Sequence, residues 1–275
     1  MPRFTTGPPS RPLTQGAAAA IFGAMSGHSK WHTIKHKKGA ADAKRGKLFT
    51  KLIKEISVAA RMGGGDISAN PRLRKAVADA KGNQMPGDTI DRAIKRGTGE
   101  LEGTSYDEVL YEGTGPSGTL WVVQALTDNR NRTVAELRKV FERHGGNLGG
   151  GGSAAWAFER KGIVVVPVAG LSEERLMELA MEAGAEHYEQ DGDNWEIHCE
   201  LSDLDTVSSK LEEASVKIES AAPGYVPKTK KPIEGRDAQR CLELYDALDD
   251  HDDTQAMFAD FDVSDEEMDR LMAEA

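Results

Sequence analysis

The sequence predicts a multidomain protein, helical in its N-terminal third and α+β beyond it. Three observations predict this. Apolar residues repeat at intervals of three and four between residues 40 and 97, then alternate from about residue 104. Residues 161–229 read strand–helix–strand–strand–helix–strand, the order of a ferredoxin-like unit. Charge is sorted: residues 25–99 hold 17 Lys and Arg against 6 Asp and Glu, and residues 100–275 hold 16 against 39.

The first helix carries Leu48, Phe49, Leu52, Ile53, Ile56 and Ala60 on one stripe, after a possible cap at Asp42, and Gly63-Gly64-Gly65 stops it. Asn70-Pro71 supplies an N-cap with proline at the first helical position, Leu73 and Val77 point inward, and Gly82 closes that helix. A third short helix spans Asp88–Arg96, with Ile90, Ala93 and Ile94 inward, Lys95 and Arg96 at its negative end, and Gly97 after it.

Tyr106–Tyr111 and Thr119–Thr127 read as strands around a turn at Gly113–Gly118. Thr133 with Glu136 makes a capping box for a helix bearing Val134, Leu137, Val140 and Phe141. A Gly-rich stretch, Gly145–Gly152, leads to a strand through Ala155, Trp156 and Phe158. Within the ferredoxin-like unit, Ile163–Val168 is a strand, Ser172–Ala183 a helix and His187–Gln190 a strand. Trp195, Ile197, Cys199 and Leu201 then alternate with Glu196, His198 and Glu200, a strand with one wet face. Ser202–Ala214 is a helix and Val216–Val226 an extended segment. Arg236–Leu248 reads as helix, Gln255–Val263 as strand, and Ser264 with Glu267 caps a last helical turn.

A chain of 275 residues has room for two or three domains with their own cores. At 39% hydrophobic and 29% charged residues, wholesale disorder is not indicated. The two cysteines, Cys199 and Cys241, suit a reducing compartment and form no zinc-type spacing. The longest apolar runs, such as Gly162–Val168, fall far short of the ~20 residues of a membrane-spanning helix, and no membrane or cofactor is expected. Residues 1–24 hold Pro8, Pro9, Pro12, two arginines and no acid. They are read as a disordered extension, with Met25 an alternative start and an organellar leader the minor reading.

The densest basic segment runs from His28 through Lys30, Trp31, Lys35, Lys37 and Lys38 to Lys44, Arg45, Lys47, Lys51 and Lys54. Such a run neutralises phosphates and releases counterions, the main source of sequence-independent affinity for nucleic acid. Trp31 either stacks on a base or anchors the arm to the helices. His28, His32 and His36 lie four apart, but the surrounding positive charge opposes a metal ion, and phosphate contacts fit better. Arg130 and Arg132, before a predicted helix start, add a second candidate anion contact. Gly149–Gly152 resembles a phosphate loop, yet it follows a helix and precedes a strand, the reverse of a dinucleotide fingerprint. Asp249, Asp250, Asp252, Asp253 and the acids after them read as a solvated acidic run; magnesium held by paired carboxylates is the less favoured reading.

Gly27-His28-Ser29-Lys30-Trp31, with Ile34, Lys35, Lys38, Asp42, Arg45, Phe49, Lys51, Leu52 and Ile56, resembles the opening of the YebC/PmpR family. The likeness continues through Met85-Pro86, Tyr111-Glu112-Gly113, Thr127–Thr133, Ser153, Ala155-Trp156, Phe158, Pro223, Tyr225, Pro227 and Leu248-Asp249-Asp250. Members are described as probable transcriptional regulatory proteins; mitochondrial relatives are translational activators of cytochrome oxidase, and bacterial ones have been linked to ribosomes. The resemblance implies a YebC-like, multidomain α and α+β architecture. Its parts are a three-helix basic domain over 25–103, a split α+β domain over 104–160 and 233–263, and an inserted ferredoxin-like domain over 161–232. An acidic tail over 264–275 departs from the family pattern. The function expected is a non-enzymatic regulator, cytoplasmic in a bacterium or in the mitochondrial matrix, that binds DNA through its basic domain. A ribosome-associated, RNA-binding translation factor is the alternative, and a metal-dependent nuclease a remote one.

Overall fold

A computed structural model describes residues 41–274. The N-terminal unit is three helices: α1 (Ala41–Gly63), α2 (Pro71–Gly82) and α3 (Gly87–Thr98). Leu52 and Ile56 of α1 close on Leu73 and Val77 of α2 and on Ile90 and Ala93 of α3. Asn70 binds this unit at both ends of a turn. Its Oδ1 accepts from the Leu73 amide at 3.0 Å, and its Nδ2 donates to the carbonyls of Ala59 and Gly64. One residue thus caps α2 and bonds one carbonyl of the last turns of α1 and one just beyond its end.

The rest of the chain stacks four layers, helix–sheet–sheet–helix. The first sheet has the order β3-β1-β2-β9, from β1 (Asp107–Thr114), β2 (Leu120–Thr127), β3 (Asn147–Leu148) and β9 (Thr254–Ala259). Its outer face, with Trp121 and Val123, packs on α4 (Arg130–Arg143) and α7 (Gly235–Asp249). The second sheet has the order β5-β6-β4-β7, from β4 (Phe158–Pro167), β5 (His187–Asp191), β6 (Asn194–Cys199) and β7 (Ser220–Pro227). Its outer face, with Val164, Val166, Trp195 and Ile197, packs on α5 (Glu173–Ala183) and α6 (Leu204–Glu213). Between the sheets, Val122 and Phe258 meet Ile163 and Val165. A short parallel pair, β8 (Lys231–Pro232) with β10 (Phe261–Asp262), adds a further tie.

Four features depart from the sequence reading. Ala155–Ala157 form a 3₁₀ turn, with Trp156 pointing into solvent, in place of a strand. A single strand, β4, then runs where two were read, one through Phe158 and one over Ile163–Val168. It pairs with β7 from Phe158 onward and with β6 from Gly162 onward. The face of β6 expected to be wet is buried: Glu196 lies opposite Val165 and His198 opposite Ile163, inside the two-sheet interface. Alternation of polar and apolar residues reports two different faces but not what covers them. Finally, residues 265–274 form a helix, α8 (Asp265–Glu274), whose Met268 and Leu271 enter the core beneath the first sheet. That segment is packed by its apolar stripe, not a solvated acidic tail.

At the α1–α3 crossing, a Cβ on Gly97 would meet the Ser57 carbonyl and lie 2.8 Å from the Ala60 Cβ. Gly97→Ala is therefore expected to destabilise the protein by about 1–3 kcal/mol through overpacking, read as a lower urea midpoint.

Candidate nucleic-acid interface

Helix α1 carries cations at 47, 51 and 54, spacings of four and three that place them on one side. That side lies on the C-terminal end of α7 and the loop after it. Lys47 Nζ donates to the Asp250 carbonyl at 3.0 Å, Lys51 Nζ to the Asp249 carbonyl at 2.6 Å, and Lys54 Nζ to the Asp252 carbonyl at 2.9 Å. A helix C-terminus presents unpaired carbonyls and negative partial charge, so three ammonium groups there are doubly favourable. Carboxylates add to this: Lys47 pairs with Asp250 at 3.4 Å, Lys51 with Asp249 at 3.2 Å and Lys54 with Asp253 at 2.5 Å.

Asp253 gathers the contacts. It is 2% exposed and accepts from Lys54, from Arg132 Nη2 at 3.0 Å and from the Thr133 hydroxyl at 2.6 Å. Burial works against its charge, but Lys54, Thr133 and Arg132 outweigh burial and hold its pKa at about 2. The acid run expected to be solvated is thus partly an internal counter-charge. Thr133 does not cap α4 either. Asn129 does, its Oδ1 accepting from the Arg132 amide at 3.1 Å, which leaves Thr133 inside the helix with its hydroxyl turned to Asp253 and to Thr127. His251 completes the loop. The Asp253 amide donates to its Nδ1 at 3.1 Å, which puts the ring proton on Nε2, 3.1 Å from Glu136 Oε2.

The residues expected to bind phosphate therefore separate into groups. Lys30, Trp31, Lys35, Lys37 and Lys38 lie outside the described residues, as does the side chain of Lys44. Arg45 is exposed, donates to Gln84 Oε1 at 3.2 Å and lies over the Phe49 ring. Lys47 is exposed but paired with Asp250. Lys51 is only 5% exposed, so in this arrangement it holds the helical unit to α7 and presents no surface for a phosphate. Arg130 pairs with Asp107 at 2.9 Å and Arg132 with Asp128 at 2.8 Å, both at the surface. Sequence reading passed over the exposed cations of α2 and α3: Arg74, Lys81, Arg92, Lys95 and Arg96. Their signal was the net charge of residues 25–99 as a whole, which the densest run overshadows.

The Gly-rich loop already holds an anion, and it is the protein's own. The Glu112 carboxylate accepts from the amides of Gly152, Ala154 and Ala155 at 2.7–2.8 Å. Burial opposes its charge, yet these three donors hold its pKa below the usual carboxylate value. A cluster that sequence reading missed lies between the sheets. Glu196 and His198 are buried, their Oε2 and Nε2 3.4 Å apart, beside Glu189, which is ion-paired with Lys230. Burial, reinforced by Glu189, pushes the Glu196 pKa up to about 8, and burial lowers that of His198. Two triads of metal-type ligands exist among the described residues, Glu136–His251–Asp253 and Glu189–Glu196–His198. Each is already crossed by a protein cation, Lys54 and Arg132 at the first and Lys230 at the second, which supplies the positive charge a metal would bring.

Two tests follow from these charges. Asp253→Asn leaves Lys54 buried without its counter-ion and is expected to cost about 3–5 kcal/mol in urea unfolding. At Glu196 the folded pKa lies above the unfolded one, so the unfolded state ionises first as pH rises. The penalty grows between about pH 4.5 and 8 and is constant above. Glu196→Gln should therefore melt higher than the parent at pH 8, with the gain vanishing near pH 4.5 in paired thermal scans.

Comparison with known proteins bears on all of this. Residues 29–100 match the sequence profile of the TACO1/YebC protein N-terminal domain, and residues 106–261 that of the TACO1/YebC second and third domain. A probable transcriptional regulatory protein of Desulforapulum autotrophicum is 53% identical over 247 residues, covering 90% of this chain and all of the relative. One from Geobacter sulfurreducens is 51% identical over 248 residues, again 90% of this chain and all of the relative. The crystal structure of a conserved hypothetical protein from Aquifex aeolicus superposes with a TM-score of 0.78 at 46% identity, covering 84% of this chain and 96% of that one. Over both profiles and at these identities, the chain belongs to the TACO1/YebC family.

Proposed function

We propose that this protein is a non-enzymatic regulator of gene expression that binds DNA through its basic N-terminal domain. The observation that carries the reading is the sorting of charge, a net of +11 over residues 25–99 on a chain whose overall net is −10. A basic domain on an acidic body attracts a polyanion to one end and repels it from the other. The names of the relatives, probable transcriptional regulatory proteins, support a regulatory role for this chain. The contacting residues proposed are Lys30, Trp31, Lys35, Lys37, Lys38, Lys44 and Arg45, with Lys47 and Arg130 reachable by exchange of surface ion pairs and Arg132 through the exposed part of its guanidinium while it stays bonded to Asp253. Exposed ion pairs are worth about 0–1 kcal/mol, so a phosphate can displace their partners; the buried Lys51 is left to docking.

No helix among the described residues is long and apolar enough to cross a membrane. Cys199 and Cys241 are buried free thiols, each pushed up to about 11 by burial, which agrees with work in a reducing compartment such as the cytoplasm. A second reading, a ribosome-associated translation factor on RNA, is favoured by one feature. The exposed indole of Trp156 suits an unpaired base, which duplex DNA hides.

Lys35→Glu, Lys37→Glu and Lys38→Glu combined should weaken duplex binding at least about tenfold at low salt and flatten its salt slope by about 0.9 for each phosphate no longer neutralised. Unchanged affinity and slope would overturn the reading. Co-sedimentation with ribosomes, with weak duplex affinity, would favour translation over transcription.

A further inference from the structure

Trp156 is 66% exposed, whereas Trp121 and Trp195 are buried. An indole in water adds nothing to a core, yet the loop that carries it is built firmly. Glu112 clamps the amides of Gly152, Ala154 and Ala155, and its backbone carbonyl accepts from the Gly149 amide at 2.8 Å. Ala154 is fully buried beneath the turn. The indole Nε1 donates to the Ser153 carbonyl at 3.2 Å, which fixes the ring and uses its one polar group inside the loop. What remains for a ligand is the apolar ring face. One cation is held at the turn: Lys228, whose Nζ donates to the Trp156 carbonyl at 2.9 Å and whose amide donates to the Ala157 carbonyl; a second, Arg160, is exposed four positions after Trp156 along the chain. The other large exposed apolar side chains belong to the helical unit, the segment leading into β1, β1 itself and α5, so none shares this loop.

We infer that Trp156 is a stacking platform for an unpaired nucleobase, with Lys228 placed for the adjoining phosphate. The inference rests on the nucleic-acid reading above and specifies a single-stranded ligand. Protein interfaces also use tryptophan, but there it sits within an apolar patch. A lone, pre-oriented indole beside a cation is the arrangement by which single strands are held, because every base offers a π-face while the backbone needs positive charge. A clamped loop also loses little conformational freedom on binding.

The test uses the full chain, and the emission of Trp156 is the part of the signal that Trp156→Phe lacks. Oligouridylate and oligothymidylate of about 12 nucleotides are titrated against it, beside a duplex of the same length. Both single strands should quench the emission and the duplex should not. Trp156→Ala should weaken single-strand binding about 5- to 100-fold, Trp156→Phe should retain most of the affinity, and both should bind duplex like the parent. Single-strand affinity unchanged in Trp156→Ala overturns the inference. So does loss of self-association in that variant by sedimentation, which would make the ring a protein contact. If the parent bound duplex but showed no quenching, this inference would fail and the proposed function would stand; binding to none of the three probes would remove both.

Discussion

Asp253 is the constraint on which the arrangement of the chain depends. It sits in the loop between α7 and β9, deep enough to be 2% exposed, and it carries a negative charge. A buried carboxylate is costly unless cations and donors surround it. Here they come from two other places: Lys54 from α1, and Arg132 with Thr133 from the start of α4. Satisfying one charge thus brings the helical unit, the first sheet's covering helix and the loop before β9 together. Around it, Lys47 and Lys51 complement the carbonyl end of α7. Arg61 reaches the Tyr106 carbonyl at 2.5 Å, and Arg72 joins Glu55 to Glu108. The helical unit is docked by these charged and hydrogen-bonded contacts, while its apolar core is separate from those of the sheets.

This divides the basic half of the molecule by task. Cations on one side of α1 meet carbonyls and carboxylates of their own chain. Those of the preceding arm and of the outer faces of α2 and α3 have no such acidic body beside them in sequence. Charge sorting along the chain therefore serves twice, once as an internal joint and once as a surface with an excess of positive charge. The two uses differ in salt sensitivity, because buried pairs are screened much less than exposed charges.

What could be read from the sequence was what is local. Asn70-Pro71 caps α2 as its spacing implies, and the strand–helix order of residues 161–229 needs only periodicity. What escaped depends on distant partners. Lys54 and Asp253 lie 199 positions apart, so nothing near either residue marks the pair. Thr133 fits a capping pattern, but Asn129 is the better placed cap and Asp253 claims the hydroxyl. Glu196 and His198 alternate as a wet face would, and only the first sheet laid over them makes them buried. Trp156 sits in an apolar stretch that reads as strand until Glu112, some forty residues earlier, draws the loop amides to itself.

Docking through a single buried charge is tested most directly by a double-mutant cycle on Lys54→Met and Asp253→Asn, measured by urea unfolding of the full chain. If the joint is as described, the two changes together should cost at least about 1 kcal/mol less than the sum of each alone, since the second removes a partner already gone. Additivity within about 0.5 kcal/mol would show that the two residues act independently, and would contradict the joint.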